Sequence, residues 1–206
     1  MSRINPIHPE AETKLDSTLE EVATRMGFMP RSHVVMQNVP GLTEAVGALA
    51  GVAFRPDAKT SVHLRNLVAL VASQTAGCNY CWAHMASNAG RSGVEEAKIA
   101  AVWEFESSPH FTAAERAALR FAVAAAAIPN AVDDDVMTEL RRHFDDREMT
   151  ELMAVIAVMG FLNRWNDSLA TELEDLPISV AERTLTKAKW APGKHAGATK
   201  GPREDD

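Results

Sequence analysis

The chain has 206 residues, 46% hydrophobic and 24% charged, enough for one large domain with a sizeable core. Its formal net charge of −7 excludes nucleic acid as the main partner, because a phosphate-binding face needs clustered Lys and Arg. A run of about 18 apolar residues is nowhere present, which excludes a membrane-spanning helix. The first residues lack the apolar stretch of a signal peptide, so the cytoplasm is the expected compartment.

Aromatic residues are only 6% of the chain, while Ala, Leu, Glu, Met and Arg fill its periodic stretches. These residues favour helix, and the expected fold is an all-α, single-domain helical bundle. Residues 1–15, with Pro6 and Pro9, read as an extended N-terminal arm. The helical domain is expected over 16–189. The first helix begins at a capping-box pattern, Ser17 to Glu20, and ends at Gly27. A short helix follows over 32–36, and another runs from Pro40 to about Phe54. The next starts near Asp57 or Thr60, carries Leu64, Leu67, Val68, Leu70 and Val71, and stops at Gly77.

A helix is then expected from Cys78 to about Ala89, and one from Val94 to about Phe105. Thr112 and Glu115 form a second capping box opening an alanine-rich helix towards Ile128, with Pro129 as the stop. Asp133 to Asp135 form the negative first turn of a short helix ending near His143. Asp145 or Asp146 caps a long helix, apolar on most sides and running towards Leu173. Such a helix belongs in the core or at a subunit interface. From residue 190 to 206 the chain turns polar and Gly-rich and reads as a disordered tail.

The chemistry concentrates in one string, Gly77-Cys78-Asn79-Tyr80-Cys81-Trp82-Ala83-His84, which holds the only two cysteines of the chain. At a helix start, thiols three residues apart can close a disulfide, and the helix dipole favours a thiolate. His84 lies one turn beyond Cys81 on the same face, placed to move a proton to or from the sulfur. Cys81 is the expected nucleophile, Cys78 its resolving partner and His84 the assisting group. Asn66 is expected to hold a hydrogen bond near the site. Tyr80 and Trp82 are expected to pack, with Tyr80 a candidate pocket residue. A structural zinc ion needs four ligands and no second CxxC is present, so no metal is expected. Nothing resembles a haem, flavin or nucleotide motif, so no cofactor is expected.

Three stretches carry a resemblance to a known family: Leu64 to His84, Ser108 to Leu119, and Gly160-Phe161-Leu162-Asn163-Arg164-Trp165-Asn166. The chain resembles the carboxymuconolactone decarboxylase-like superfamily, in its alkyl hydroperoxidase D-like or peroxidase-related branch, from about residue 15 to 176. The resemblance implies an all-α fold that oligomerises through helices, as a trimer, hexamer or dimer. It also implies a CxxC site that reduces hydroperoxides with electrons from a dithiol reductant. Cys81 then takes the position of the peroxide-attacking thiol and Cys78 that of its partner.

Two positions depart from the family pattern. Asn66 stands where the family carries a glutamate, and Met85 where it carries a histidine. His84 sits one residue earlier; on a helix, positions three and four beyond Cys81 point about −60° and +40° away from it. Two alternatives to a hydroperoxidase therefore remain. One is a lyase of the decarboxylase type, for which Arg65, Arg164 and His84 are the candidate groups. The other is an oligomeric family member that has lost catalysis.

Overall fold

The computed structural model describes residues 2–5 and 17–197, and within them the regular structure is entirely helical. Ten α-helices follow in chain order: α1 Ser17–Met26, α2 Arg31–Met36, α3 Leu42–Ala53, α4 Val62–Thr75 and α5 Asn79–Arg91. Then come α6 Glu96–Ala100, α7 Ala113–Ala126, α8 Asp134–Arg141, α9 Asp146–Leu169 and α10 Asp175–Thr184. Short 3-10 turns at Val102–Glu104, Thr186–Ala188 and Gly193–His195 join or follow them. Most of the expected N-terminal arm, the Ser17 side chain of the first expected capping box and the last nine residues lie outside what is described.

α4 is the central rod. Leu67, Val68, Ala69 and Leu70 are all fully buried, because α4 packs against α5, α7 and α9 on different sides. A helix surrounded in this way must be apolar all round, which is why its sequence reads as a continuous run rather than a single stripe. Ser61 caps its start by accepting a hydrogen bond from Leu64 N. The capping boxes at Thr112/Glu115 and Asp145/Glu148 are both formed, fixing the starts of α7 and α9. Each cap contributes on the order of 1 kcal/mol.

The turn between α4 and α5 builds the site. Gly77 adopts φ +73°, a left-handed conformation that ends α4, and Cys78 N reaches back to Ser73 O at 3.1 Å. Cys78 then serves as the N-cap of α5, its sulfur accepting from Cys81 N at 3.4 Å. The CxxC pair is thus a helix cap as well as a thiol pair.

Several boundaries differ from the sequence expectation. The helix expected over 94–105 breaks at Ala101 into a 3-10 turn. α9 ends at Leu169, where Ala170 turns left-handed (φ +50°) and sends the chain into the α9–α10 connection. α10 had no counterpart in the expected elements. The expected disordered tail begins too early: residues 190–197 are tied to the helical body through Trp190 and His195. Trp190 Nε1 donates to Asn79 O at 3.1 Å, Leu173 N donates to His195 O at 2.9 Å, and His195 is 1% exposed. Three local anchors outweigh the composition that predicted disorder.

Candidate active site

Cys81, His84 and Met85 project from α5 into an apolar cavity of about 340 Å³, which Asn66 of α4 and Tyr80 also line. Met26, Val46, Phe54, Met159 and Leu162 supply much of its hydrophobic wall. Five of the six expected site residues thus meet at one cavity. Cys78 does not line it: fully buried, it lies on the other side of the thiol pair, beside Asp167 and His195.

Both sulfurs are free thiols here. Hydrogen bonding from Cys81 lowers the Cys78 thiol below its ordinary value, and this outweighs its burial. Burial pushes Cys81 well above its ordinary value, and the neighbouring Cys78 adds to that rise. Of the two thiols, Cys78 is therefore the more readily ionised. One group acts in the opposite sense: Asn166 Nδ2 lies 3.5 Å from Cys81 Sγ and donates towards it.

His84 is held by a carboxylate that the sequence reading did not find. Its Nε2 lies 2.7 Å from Glu174 Oε2, in the segment between α9 and α10. Because an ionised carboxylate only accepts, Nε2 carries the hydrogen and Nδ1 is the nitrogen left for proton exchange. Tyr80 stacks on the imidazole at 4.1 Å and donates its O–H to Glu174 Oε1 at 2.9 Å. Phe28 meets the ring edge-on at 5.2 Å, and Arg31 N donates to Glu174 at 2.6 Å.

Burial alone would raise the Glu174 carboxyl. The charge and hydrogen bond of His84, with those of Arg31 N and Tyr80, bring it below its ordinary value. Burial and the Glu174 charge push the Tyr80 phenol well above its usual range, so it stays a neutral donor. The expected site omitted Glu174 and Asn166 because they lie 90 and 85 residues from their partners. Asn166 belongs to a stretch already singled out, but nothing local tied it to the sulfur.

The lyase candidates do not converge. Arg65 is buried and donates to Ala53 O at 3.0 Å, away from the cavity. Arg164 is exposed on the outer side of α9, away from the cavity. Trp82 packs edge-on against Trp103, as a packing residue should.

An all-helical bundle that places a CxxC pair at the start of a buried helix, with one thiol on an apolar cavity, defines a class of dithiol proteins. A model of the carboxymuconolactone decarboxylase family matches residues 40–124. The chain is also 30% identical to the debrominase Bmp8, solved with one cysteine replaced by alanine and with 2,3,4-tribromopyrrole bound. That likeness covers 87% of this chain and 95% of Bmp8, with a TM-score of 0.80. A peroxidase-related protein from Ralstonia eutropha JMP134 with an AhpD core shares the fold at 20% identity, with a TM-score of 0.74 over 85% of this chain and 94% of that one. The protein YnjA of Escherichia coli K12 is 33% identical over 106 residues, 52% of this chain and 58% of YnjA. The chain belongs to the carboxymuconolactone decarboxylase superfamily, in its AhpD-like branch.

Proposed function

We propose that the protein is a thiol-dependent oxidoreductase whose Cys78–Cys81 pair cycles between dithiol and disulfide while reducing a small hydroperoxide. The observation that carries this reading is the position of Cys81 on an apolar cavity beside His84, itself held by Glu174. In the first step the Cys81 thiol passes its proton to His84 Nδ1, and the thiolate attacks the outer peroxide oxygen. The O–O bond breaks, Cys81 becomes a sulfenic acid, and His84 returns the proton to the leaving alkoxide as alcohol. Cys78 then attacks the sulfenic sulfur, expelling water and closing the disulfide. An external dithiol reductant returns two electrons and two protons. Glu174 is a positioning residue: it fixes the imidazole tautomer and offsets the charge that His84 gains.

Bmp8 motivates a second reading, in which the same dithiol removes halogen from an aromatic ring. The balance is one aryl bromide plus two thiols giving the hydrogen-substituted ring, the disulfide and hydrogen bromide. The largely apolar cavity lining suits such a ring. The two readings separate in one assay: reduced protein with a panel of organic hydroperoxides on one side and polybrominated pyrroles and phenols on the other. Alcohol formation dependent on Cys81 supports the first reading, and bromide release with Cys81 dependence supports the second. Turnover that survives in a Cys78/Cys81 double serine variant would overturn both in favour of a lyase. Complete inertness with intact fold would favour a member that has lost catalysis.

A homo-oligomer is part of the proposal. α9 leaves Met153 and Phe161 each 40% exposed, and with Ala157, Gly160 and Trp165 they line an outer groove. No described helix is long and apolar enough to cross a membrane. A cytoplasmic setting, with its dithiol reductants, fits the cycle.

A further inference from the structure

His195 takes no part in the cycle above, yet it is buried against one of its two thiols. Its Nδ1 lies 2.7 Å from Thr171 O. A carbonyl oxygen only accepts, so Nδ1 carries the hydrogen and the lone pair is on Nε2. Nε2 makes no hydrogen bond, although the residue is 1% exposed. It faces Asp167 Oδ1 at 3.5 Å, while the other carboxylate oxygen of Asp167 is taken by Lys194 Nζ at 2.7 Å. The Cys78 sulfur completes the group: one ligand atom from each of Cys78, Asp167 and His195 lies within 4.8 Å of the other two. A buried imidazole nitrogen without a hydrogen-bond donor, a carboxylate oxygen and a thiol thus converge, and a cation replacing the thiol proton would satisfy all three.

We propose that Cys78, Asp167 and His195 form a binding site for a borderline divalent cation of the zinc type, outside the substrate cavity. Thiolate, imidazole and carboxylate are the ligand types zinc takes, and three of them leave a fourth position for water. The Thr171 carbonyl on Nδ1 is the kind of outer contact that fixes a ligating imidazole in the correct tautomer. The segment carrying His195 is held in place on its own account, through Leu173 N to His195 O and through Trp190 to Asn79. Asp167 is the partly exposed ligand and gives the cation its way in. Sequence spacing hid the site, because its members come from the start of α5, the end of α9 and the final 3-10 turn. On binding, the Cys78 thiol proton leaves to solvent. Granted the dithiol cycle proposed above, a cation on Cys78 withholds the resolving thiol and keeps the pair reduced.

The test uses the full-length reduced protein and Co²⁺ as the probe, read by the near-ultraviolet thiolate-to-cobalt charge-transfer band, with Zn²⁺ as competitor. One equivalent is expected to bind and to be displaced by Zn²⁺. Cys78→Ser should abolish the band, and His195→Gln or Asp167→Asn should weaken binding about tenfold or more. The disulfide form should not bind. Absence of the band in the wild type, or its persistence unchanged in His195→Gln, would overturn the proposal. Asp167 is partly exposed, so Asp167→Asn decides the matter if His195→Gln fails to fold. This readout needs no substrate, so it stands or falls separately from the dithiol cycle. If turnover is found, micromolar Zn²⁺ should inhibit the wild type and spare Asp167→Asn.

Discussion

His84 Nε2 lies 2.7 Å from Glu174 Oε2, a contact that joins α5 to the start of α10 across 90 residues of sequence. A carboxylate thus reaches His84 from the segment that opens α10. That contact makes an acid–base role for His84 physically reasonable despite the departures at Asn66 and Met85.

Glu174→Gln is therefore expected to lower turnover by roughly a hundredfold while leaving both thiols titratable. Because the Glu174 carboxyl is held below its ordinary value of 4.5, its contribution to stability is present above that value and is lost as pH falls through the lowered one. At neutral pH the variant should lose about 1.5–3 kcal/mol, the range for hydrogen bonds to a charged group. Denaturation midpoints of the two proteins, followed from pH 7 into acid, should converge.

Asn166→Ala removes the one amide that donates to Cys81 Sγ, at 3.5 Å. The thiolate of Cys81 then loses support, and its alkylation by iodoacetamide should slow by roughly 3- to 10-fold, given that one pKa unit corresponds to about 1.4 kcal/mol. Asn166→Asp, which adds negative charge beside the sulfur, should slow it further. An unchanged rate in both variants would show that Asn166 serves packing alone.

The loop entering α4 rests on Glu151 of α9. Thr60 N and Thr60 Oγ1 donate to its carboxylate at 2.8 and 2.9 Å, and Lys59 N at 3.0 Å. Burial would raise this carboxyl, but these hydrogen bonds hold it down at about 2. The stabilisation is present above the ordinary 4.5 and fades as pH falls towards about 2. Glu151→Gln should cost about 1–2 kcal/mol at neutral pH, and the difference should shrink below about pH 4 in urea titrations.

The outer side of α9 tests the oligomer. Phe161, 40% exposed and stacked on Trp165 at 6.1 Å, is the largest exposed apolar side chain there. Phe161→Glu is expected to reduce the assembly to smaller species by light scattering, with little change in helix content. A wild type that is already monomeric would contradict this part of the account.

What was legible in the sequence follows how local each signal is. The apolar run of α4, the capping box at Thr112 and the stop at Gly77 are encoded within a few residues and stand where their patterns placed them; α4 itself opens at Ser61 and, of the two aspartates expected to cap α9, Asp145 does so. The CxxC pair with His84 was legible for the same reason, since one helix turn sets their spacing. α10 was hidden because Asp175-Leu176-Pro177 opens it without a side-chain cap. Residues 190–197 were misread because Pro and Gly composition reports average solvation and cannot anticipate the anchoring of Trp190 and His195. Glu174 and Asn166 complete the site only through tertiary packing, which no spacing rule reports.

The central claim is that Cys81 and Cys78 form a working redox pair, and the most direct measurement is thiol counting with intact mass. Reduced protein is mixed with one equivalent of an organic hydroperoxide or a brominated pyrrole, then quenched over milliseconds to minutes. The account predicts loss of both thiols and a mass decrease of about 2 Da, with Cys81→Ser inert and, where the substrate is the hydroperoxide, a Cys78→Ser variant halting at a sulfenic acid. Thiols that stay reduced with every substrate, in protein whose fold is intact, would contradict it.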